Sequence, residues 1–174
     1  MRKTIIILAI ISLFVYYIKF NKNEVVTIPN EAIRFRVLAN SNSIEDQNIK
    51  KNVSDKMQQK LYEKLKDTKN VNEARSIIKN NMDSFDNLLK EEMKNIPYSY
   101  VLDYGIHTFP KKEYKGVIYK EGNYESLLVT LGKGEGNNFW CVLFPPLCIT
   151  EVEETKKADV EYKFFIKELI DKYF

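Results

Sequence analysis

Two cysteines and a single histidine are the side chains of this sequence best suited to chemistry. Cys141 and Cys148 are its only cysteines and His107 is its only histidine. A thiolate beside an imidazole base is the arrangement of a nucleophilic cysteine. Such a pair needs a third group that orients the base, and the sequence identifies none. Cys141 also lies within the apolar run 139–144, where a cysteine is more typical of a small buried hydrophobe.

The same residues raise the possibilities of a metal site and a disulfide. His107 stands without partners at ligand spacing, so we predict no metal ion and no cofactor. The segment between Cys141 and Cys148 contains the pair Pro145-Pro146. A turn at these prolines would bring the sulfurs together, and an exported chain would meet oxidising conditions. We therefore predict a Cys141–Cys148 disulfide, with two buried thiols as the alternative.

A glycine-rich stretch comes just before the cysteines. Residues 132–136 read GKGEG, and three glycines in five residues allow positive φ and close backbone approach. The stretch lacks the strand-loop-helix context and the Lys-Ser/Thr ending of a phosphate-binding loop. We therefore interpret it as a hairpin loop or bulge. It leads into residues 139–144, which are aromatic and β-branched, short enough for a strand, and followed by the two prolines.

The N-terminus has the pattern of a membrane-targeting segment. Arg2 and Lys3 precede an uncharged run at residues 4–18, so the chain beyond it should be exported. The run is short, as in a signal peptide, but it offers no small-x-small cleavage site. We favour an uncleaved anchor over a cleaved signal peptide for residues 1–20, with a linker at 21–30 and one extracytoplasmic domain at 31–174.

Composition and charge exclude some partners. Hydrophobic residues make up 44% of the chain, enough to bury a sizeable core. The net charge is +3, and Lys and Arg are interleaved with Asp and Glu. A nucleic-acid-binding protein would gather its cations in a patch or stripe. We expect no nucleic acid partner and no small-molecule substrate.

Hydrophobic periodicity predicts the elements that position these residues. At 32–38, Ile33 and Phe35 alternate with Arg34 and Arg36, as in a strand with one face on the core. Ser43, with Asp46 three residues later, resembles a helix cap. The predicted helices are 44–67, 72–95 (capped by Asn72) and 158–173. The predicted strands are 32–38, 98–107, 115–120, 125–131 and 138–144, with a turn at 121–124. The last four strands are predicted to form a meander. This order predicts an α+β fold, a mixed and mostly antiparallel sheet covered by helices.

Two long blocks of this sequence have an unusual composition. The first is Phe35-Arg36-Val37-Leu38-Ala39-Asn40-Ser41 followed by Glu45-Asp46-Gln47; the second comprises Leu131-Gly132, Gly134-Glu135-Gly136 and residues 138–148, NFWCVLFPPLC. Together these blocks resemble the stage II sporulation protein R family of endospore-forming Firmicutes. The resemblance covers residues 31 to 150 approximately. Phe139 departs from the family pattern, in which a second Trp is expected, but it keeps the aromatic bulk.

The resemblance implies a function that no spacing in the sequence shows. Members of that family are made in the forespore and exported into the space between the two septal membranes. There they activate a membrane-embedded aspartic protease of the mother cell, which processes the early mother-cell pro-sigma factor. The resemblance thus implies an intercellular signal and not an enzyme. The alternatives are an exported cell-wall hydrolase that uses Cys141 or Cys148 with His107, and a structural component of the wall or septum.

We expect partner contacts to centre on the glycine-rich loop, the aromatic residues after it and an asparagine-rich loop. Aromatic side chains carry much of the energy of interfaces, and a glycine loop presents its backbone without obstruction. The predicted contact residues are Gly132, Gly134, Glu135, Gly136, Asn138, Phe139, Trp140, Asn40, Ser41 and Asn42. A Trp inside an apolar run is also typical of a core, so the alternative is that Trp140 only packs.

Overall fold

The computed structural model describes residues 26–114, 117–146 and 167–173. The elements in chain order are β1 (Val26–Thr27), β2 (Ile33–Leu38), α1 (Ile44–Leu65), α2 (Val71–Asn80), α3 (Met82–Glu92), β3 (Tyr100–Phe109), β4 (Lys112–Tyr114), β5 (Val117–Tyr119), β6 (Gly122–Leu131) and β7 (Asn138–Phe144). Residues 167–173 are helical, in agreement with the end of the predicted helix 158–173.

The main sheet places the first long strand among the later ones. Its order is β3-β6-β2-β7, with β2 parallel to β6 and the other two pairs antiparallel. The predicted α+β class and the mostly antiparallel sheet are confirmed. The predicted meander is wrong, because β7 pairs with β2 and not with β6. Residues 132–137 therefore cross the end of β2 and do not form a hairpin loop.

One face of this sheet is covered by the helices. Val53, Met57, Leu61 and Leu65 recur every fourth residue of α1 and are buried. They join Phe35 and other residues of the sheet in the main core. Burying each of these side chains contributes roughly 2 kcal/mol. We call this side of the sheet the helix-covered face and the other side the opposite face.

The predicted helix 72–95 is wrong in its start and its continuity. The N-cap is Asn70, whose Oδ1 accepts from the backbone of Glu73 at 3.0 Å. The helix then breaks at Asn81, where φ is −113°. The Asn81 amide donates to the carbonyl of Ile77 at 2.8 Å. An asparagine side chain that bonds to the nearby backbone competes with the helix, which explains the division into α2 and α3.

A second, small sheet has the order β1-β5-β4. Near it, Ile28, Ala32 and Val142 form a minor core. The predicted alternation along β2 is confirmed, but the face that carries Arg34 is covered at this position as well, because Arg34 is only 1% exposed. The predicted turn 121–124 is also wrong: β6 begins at Gly122, and the buried Tyr124 donates its hydroxyl to the Lys120 carbonyl at 2.9 Å.

Several predictions fall on residues that lie outside the described part of the chain. They concern the membrane-targeting segment 1–20, Cys148 and the helix 158–173 as far as residue 166. The strand β1 lies within the predicted linker 21–30, of which residues 21–25 are likewise outside. Among the described residues, no helix combines the length and apolar character required to cross a membrane.

Candidate functional site

Two loops meet at one end of the main sheet. Residues 39–43 follow β2, and residues 132–137 cross over them on the way from β6 to β7. Four backbone amides of the second loop donate to the first: Lys133 to Asn40 Oδ1 (3.0 Å), Glu135 to the Asn40 carbonyl (3.3 Å), Gly136 to the Ala39 carbonyl (2.9 Å) and Asn137 to Asn42 Oδ1 (2.7 Å). We call these two loops together with Asp46 the two-loop cluster. It unites the two sequence blocks that carry the family resemblance.

Close contact between the loops explains two of the glycines. A Cβ on Gly136 would strike the backbone carbonyl of Ser41 and lie 2.9 Å from Cβ of Ala39. Gly132 has φ +55°, and a Cβ there would strike the side chain of Asn40. Because no larger residue fits without a shift of the first loop, packing within the molecule requires these glycines. The glycines therefore need no bound partner or phosphate to account for them.

Asp46 is the charged centre of the cluster. It lies in the first turn of α1 and is 7% exposed. Its Oδ2 accepts from Ser41 Oγ at 2.6 Å and from Asn40 Nδ2 at 2.9 Å, and its Oδ1 accepts from the Tyr98 hydroxyl at 2.8 Å. These hydrogen bonds, first that from Ser41, hold the pKa of Asp46 below its ordinary value. Burial, and then the Asp46 carboxylate, raises the pKa of Tyr98.

The capping role predicted for Ser43 is confirmed. Its hydroxyl accepts from the backbone amide of Asp46 at 3.1 Å. The Asp46 side chain, which a capping box would direct back to Ser43, instead bonds to the first loop and to Tyr98. Sequence analysis missed this role of Asp46, because Tyr98 is 52 residues away in the chain. The cluster is therefore tied to α1 and to the residues before β3.

The start of α1 also binds both loops. Gln47 Nε2 donates to the Ser41 carbonyl at 2.9 Å, and Lys50 Nζ donates to the Asn137 carbonyl at 3.2 Å. At the surface of this end, Ile44 is 84% exposed. Asn42 and Glu135 of the two loops are exposed as well. Sequence analysis did not select Ile44, since the helical pattern alone does not show that the loops leave this isoleucine uncovered.

The predicted contact residues at the start of β7 divide between the two faces of the sheet. Phe139 is on the helix-covered face, where its ring meets that of Phe35 at 5.9 Å. Trp140 pairs with Arg36 on the opposite face. With its amide oriented by hydrogen bonding, Asn138 Oδ1 accepts from Trp140 Nε1 at 3.1 Å and from Arg36 Nη2 at 2.6 Å. Partner binding by Phe139 and Trp140 stays a prediction, but one flat partner surface cannot contact both rings.

Cys141 and His107 are not brought together. Cys141 is on β7 and His107 on β3, at the two edges of the four-stranded sheet. Three strand spacings separate these edges, roughly 14 Å. Cys141 is disulfide-bonded, whereas Cys148 lies outside the described residues, so the pairing of the two stays a prediction. Cys141 and His107 thus do not form a nucleophile and base pair.

His107 instead lies between a serine and an aspartate. Its Nδ1 is 2.7 Å from Ser126 Oγ, and its Nε2 is 2.8 Å from Asp103 Oδ2. These are the residue types of a hydrolytic triad, and sequence analysis missed the arrangement because Ser126 is on the neighbouring strand. The burial is the reverse of what catalysis needs: Ser126 is 0% exposed and the Asp103 side chain 61% exposed. A substrate carbonyl cannot reach this serine. The hydrogen bonds with Ser126 and Asp103 therefore fix the orientation of His107 and do not supply an accessible nucleophile.

Comparison with known proteins places the chain in a family. The family model described as stage II sporulation protein R matches residues 29–154. The chain belongs to the stage II sporulation protein R family. The stage II sporulation protein R of Bacillus subtilis (strain 168) is 39% identical over 133 residues, which are 75% of this chain and 59% of that relative. The chain thus spans about 59% of that relative's length. No solved structure matches.

Membership in the stage II sporulation protein R family gives the chain a role in sporulation. The matched segment contains both loops of the two-loop cluster, Asp46 and the whole main sheet. The family model therefore covers the residues that we describe as the candidate site. No solved relative carries a partner from which contacts could be transferred.

Proposed function

We propose that this protein is exported from the forespore and activates a membrane-embedded aspartic protease of the mother cell, which then processes the early mother-cell pro-sigma factor. The observation that carries the proposal is the match of the stage II sporulation protein R family over residues 29–154. The proposed partner is the protease, and the proposed place of action is the space between the septal membranes. The protein acts in this proposal as a ligand and not as a catalyst.

The two-loop cluster supports the proposal as a contact surface. A protein that signals by binding benefits from loops that are already ordered, because binding then costs less conformational entropy. The mutual hydrogen bonds of the loops and the buried Asp46 carboxylate supply this order. Ile44 is an exposed apolar side chain at the start of α1, and the polar residues Asn42 and Glu135 of the two loops are also exposed. An apolar anchor within a polar rim is the pattern of an interface hot spot.

Substitution of Ile44 tests this surface. In sporulating cells that depend on this protein, Ile44→Asp should abolish sigma-factor processing while the amount of protein stays normal. The folded state should tolerate the change, because an acidic residue in the first turn of a helix is favourable. Ile106→Asp is the matched control, since Ile106 is 68% exposed and lies on β3, outside the two-loop cluster. Equal processing in both variants would show that the protease binds elsewhere.

Substitution of His107 separates the signalling proposal from the enzyme alternative. His107→Ala removes the base that any cysteine or serine hydrolase in this chain would use. We expect sigma-factor processing to continue at normal protein level. Loss of processing with normal protein level would favour the hydrolase.

Export is tested apart from the contact surface. A reporter that is active only outside the cytoplasm, fused after Asn30, should be active in the cell that makes the protein. Cytoplasmic retention of that reporter would contradict the proposed function, whatever the outcome at Ile44.

A further inference from the structure

Three cations alternate with three aromatic rings on the opposite face of the sheet. Cζ of Arg34 lies 3.3 Å from the ring centre of Tyr124 and 5.2 Å from that of Phe109. Cζ of Arg36 lies 5.5 Å from the ring centres of both Phe109 and Trp140. Nζ of Lys112 lies 5.0 Å from the ring centre of Trp140. We call this set the cation–aromatic row: Tyr124, Arg34, Phe109, Arg36, Trp140 and Lys112.

The positive charges of the row have no anionic partner within the described residues. Other cations of the protein do, as Arg75 with Glu125 at 2.7 Å and Lys90 with Asp86 at 2.6 Å show. None of the ion pairs of the described residues involves Arg34, Arg36 or Lys112. The three guanidinium nitrogens of Arg34 are buried against the Tyr124 side chain and have no carboxylate partner among the described residues. Aromatic faces attract these cations but do not neutralise them.

One end of the row is open to solvent. Lys112 is exposed, and Arg36 and Trp140 are half-buried beside it. Lys50 also lies at this end, because its Nζ donates to the carbonyl of Asn137, the residue before Asn138, at 3.2 Å. Burial lowers the pKa of Lys50, and the Lys112 ammonium lowers it further. Asn138 holds the guanidinium of Arg36 and the indole of Trp140 in place. This end therefore presents a fixed aromatic surface surrounded by cations that repel one another.

We propose that the open end of the cation–aromatic row, formed by Arg36, Trp140, Lys112 and the adjacent Lys50, binds a short acidic segment of a partner protein. Carboxylates on neighbouring residues of such a segment can reach separate cations around one indole ring. Electrostatic complementarity of this kind favours the specific partner and speeds its association.

The observations favour an acidic peptide over an anionic membrane surface. Membrane binding is strengthened when apolar side chains enter the interface beside the cations. The large hydrophobic residues exposed in the described structure are Ile44, Tyr62, Val101 and Ile106, which lie on α1 and β3 and not on β7. The proposal does not depend on the proposed function, because the acidic segment can belong to any partner.

The single tryptophan makes the site directly observable. Trp140 is the only Trp of the chain, so a change in its fluorescence reports a ligand at the row itself. The test uses the purified full chain in a non-ionic detergent at about 0.1 M salt, where the Debye length is roughly 10 Å, titrated with a ten-residue peptide of alternating Glu and Ala. We expect a saturable change in emission that is absent with a peptide of alternating Gln and Ala.

Charge variants show whether binding is local. Lys112→Glu should weaken binding by about tenfold or more, because it replaces an attraction at short range by a repulsion. Lys64→Glu changes the net charge equally but lies in the last turn of α1, about 21 Å along the helix from Lys50. This control should keep the affinity within about twofold, since charges beyond the Debye length of roughly 10 Å are screened.

Three results would overturn the proposal. The first is the absence of any emission change with the acidic peptide. The second is an equal loss of affinity in the Lys112→Glu and Lys64→Glu variants, which would reduce binding to an effect of net charge. The third is an emission change with vesicles that contain phosphatidylglycerol but not with the peptide, which would assign the row to a membrane surface.

Discussion

The two-loop cluster and the cation–aromatic row treat buried charge in opposite ways. In the cluster, one carboxylate, that of Asp46, accepts from Ser41, Asn40 and Tyr98. In the row, the guanidinium of Arg34 is 1% exposed, contacts the Tyr124 side chain and has no carboxylate partner among the described residues. Burial of a charge costs little free energy only when the charge is paired or hydrogen-bonded. The Asp46 carboxylate is therefore stabilised by hydrogen bonds within the molecule, whereas the cations of the row have no carboxylate partner among the described residues.

The largest loss of stability should follow from a substitution within the two-loop cluster. We expect Gly136→Val to lower the free energy of unfolding by about 3 kcal/mol, because its side chain would displace the backbone of the first loop. Urea unfolding of the full chain in a non-ionic detergent measures this. Gly105→Ala is the control, since its Cβ would meet nothing closer than Asp103 Oδ2 at 3.6 Å; it should change stability by no more than about 0.5 kcal/mol. Equal stability of the two variants would mean that the loops separate readily.

The second prediction concerns the pH dependence of stability and tests the role of the Asp46 carboxylate. Its pKa is lowered in the folded state, so its contribution to stability is present above the unfolded pKa of about 4 and is lost as the pH falls through the folded value. We expect Asp46→Asn to be less stable than the natural protein at pH 7. The two proteins should become more alike below pH 4 or so. Thermal unfolding at a series of pH values measures the difference.

The exposed residue Asp67, in the turn after α1, supplies the control for this experiment. Asp67→Asn should change the free energy of unfolding by no more than about 0.5 kcal/mol, because Asp67 is exposed. Glu125 and Asp86 also have lowered pKa values, held down first by hydrogen bonds from Arg75 and Lys90. Some acid sensitivity should therefore remain in Asp46→Asn. A stability difference that does not vary with pH would contradict the role assigned to the Asp46 carboxylate.

The smallest change in stability is expected for a substitution within the cation–aromatic row. Arg34→Met replaces a buried cation that has no carboxylate partner among the described residues by an apolar side chain of similar length. The loss of the contact with Tyr124 and the relief of burial should therefore nearly cancel. We expect the free energy of unfolding to stay within about 1 kcal/mol of the natural value. Affinity for the acidic peptide should also persist, because the nitrogens of Arg34 are not accessible. A loss well above this value would reveal a partner for the guanidinium and weaken the contrast between the two regions.

Periodicity in the sequence predicted much of the fold. The stripe on α1 and the alternation along β2 and β3 identified which side chains face the core. Arg34 shows where this reasoning stops, because alternation places a side chain on one face of a strand but does not show what covers that face. The break at Asn81 was missed for another reason: one side-chain hydrogen bond to the Ile77 carbonyl interrupts a pattern that is otherwise continuous.

The candidate site was only partly predictable. The asparagine loop and the glycine loop were selected separately, and the structure brings them together. That they meet depends on the pairing of β7 with β2, and no local pattern encodes such a long-range pairing. Asp46 was missed as the centre because two of its partners, Asn40 and Ser41, are loop residues and the third, Tyr98, is distant in the chain. The contact between Ser126 and His107 was missed because these residues lie on neighbouring strands.

Because β2 lies between β6 and β7, the main sheet can form only after these two later strands have been synthesised. Phe35 pairs with Leu127 on one side and with Cys141 on the other. At translation rates of about 5–20 residues per second, the ribosome needs roughly 5–20 s to make the intervening chain. During this interval β2 has neither neighbour, and the apolar stripe of α1 has no sheet to pack against. The delay would suit the proposed export, in which an extended chain passes through a translocation channel, because the core cannot close before its last strands have been made.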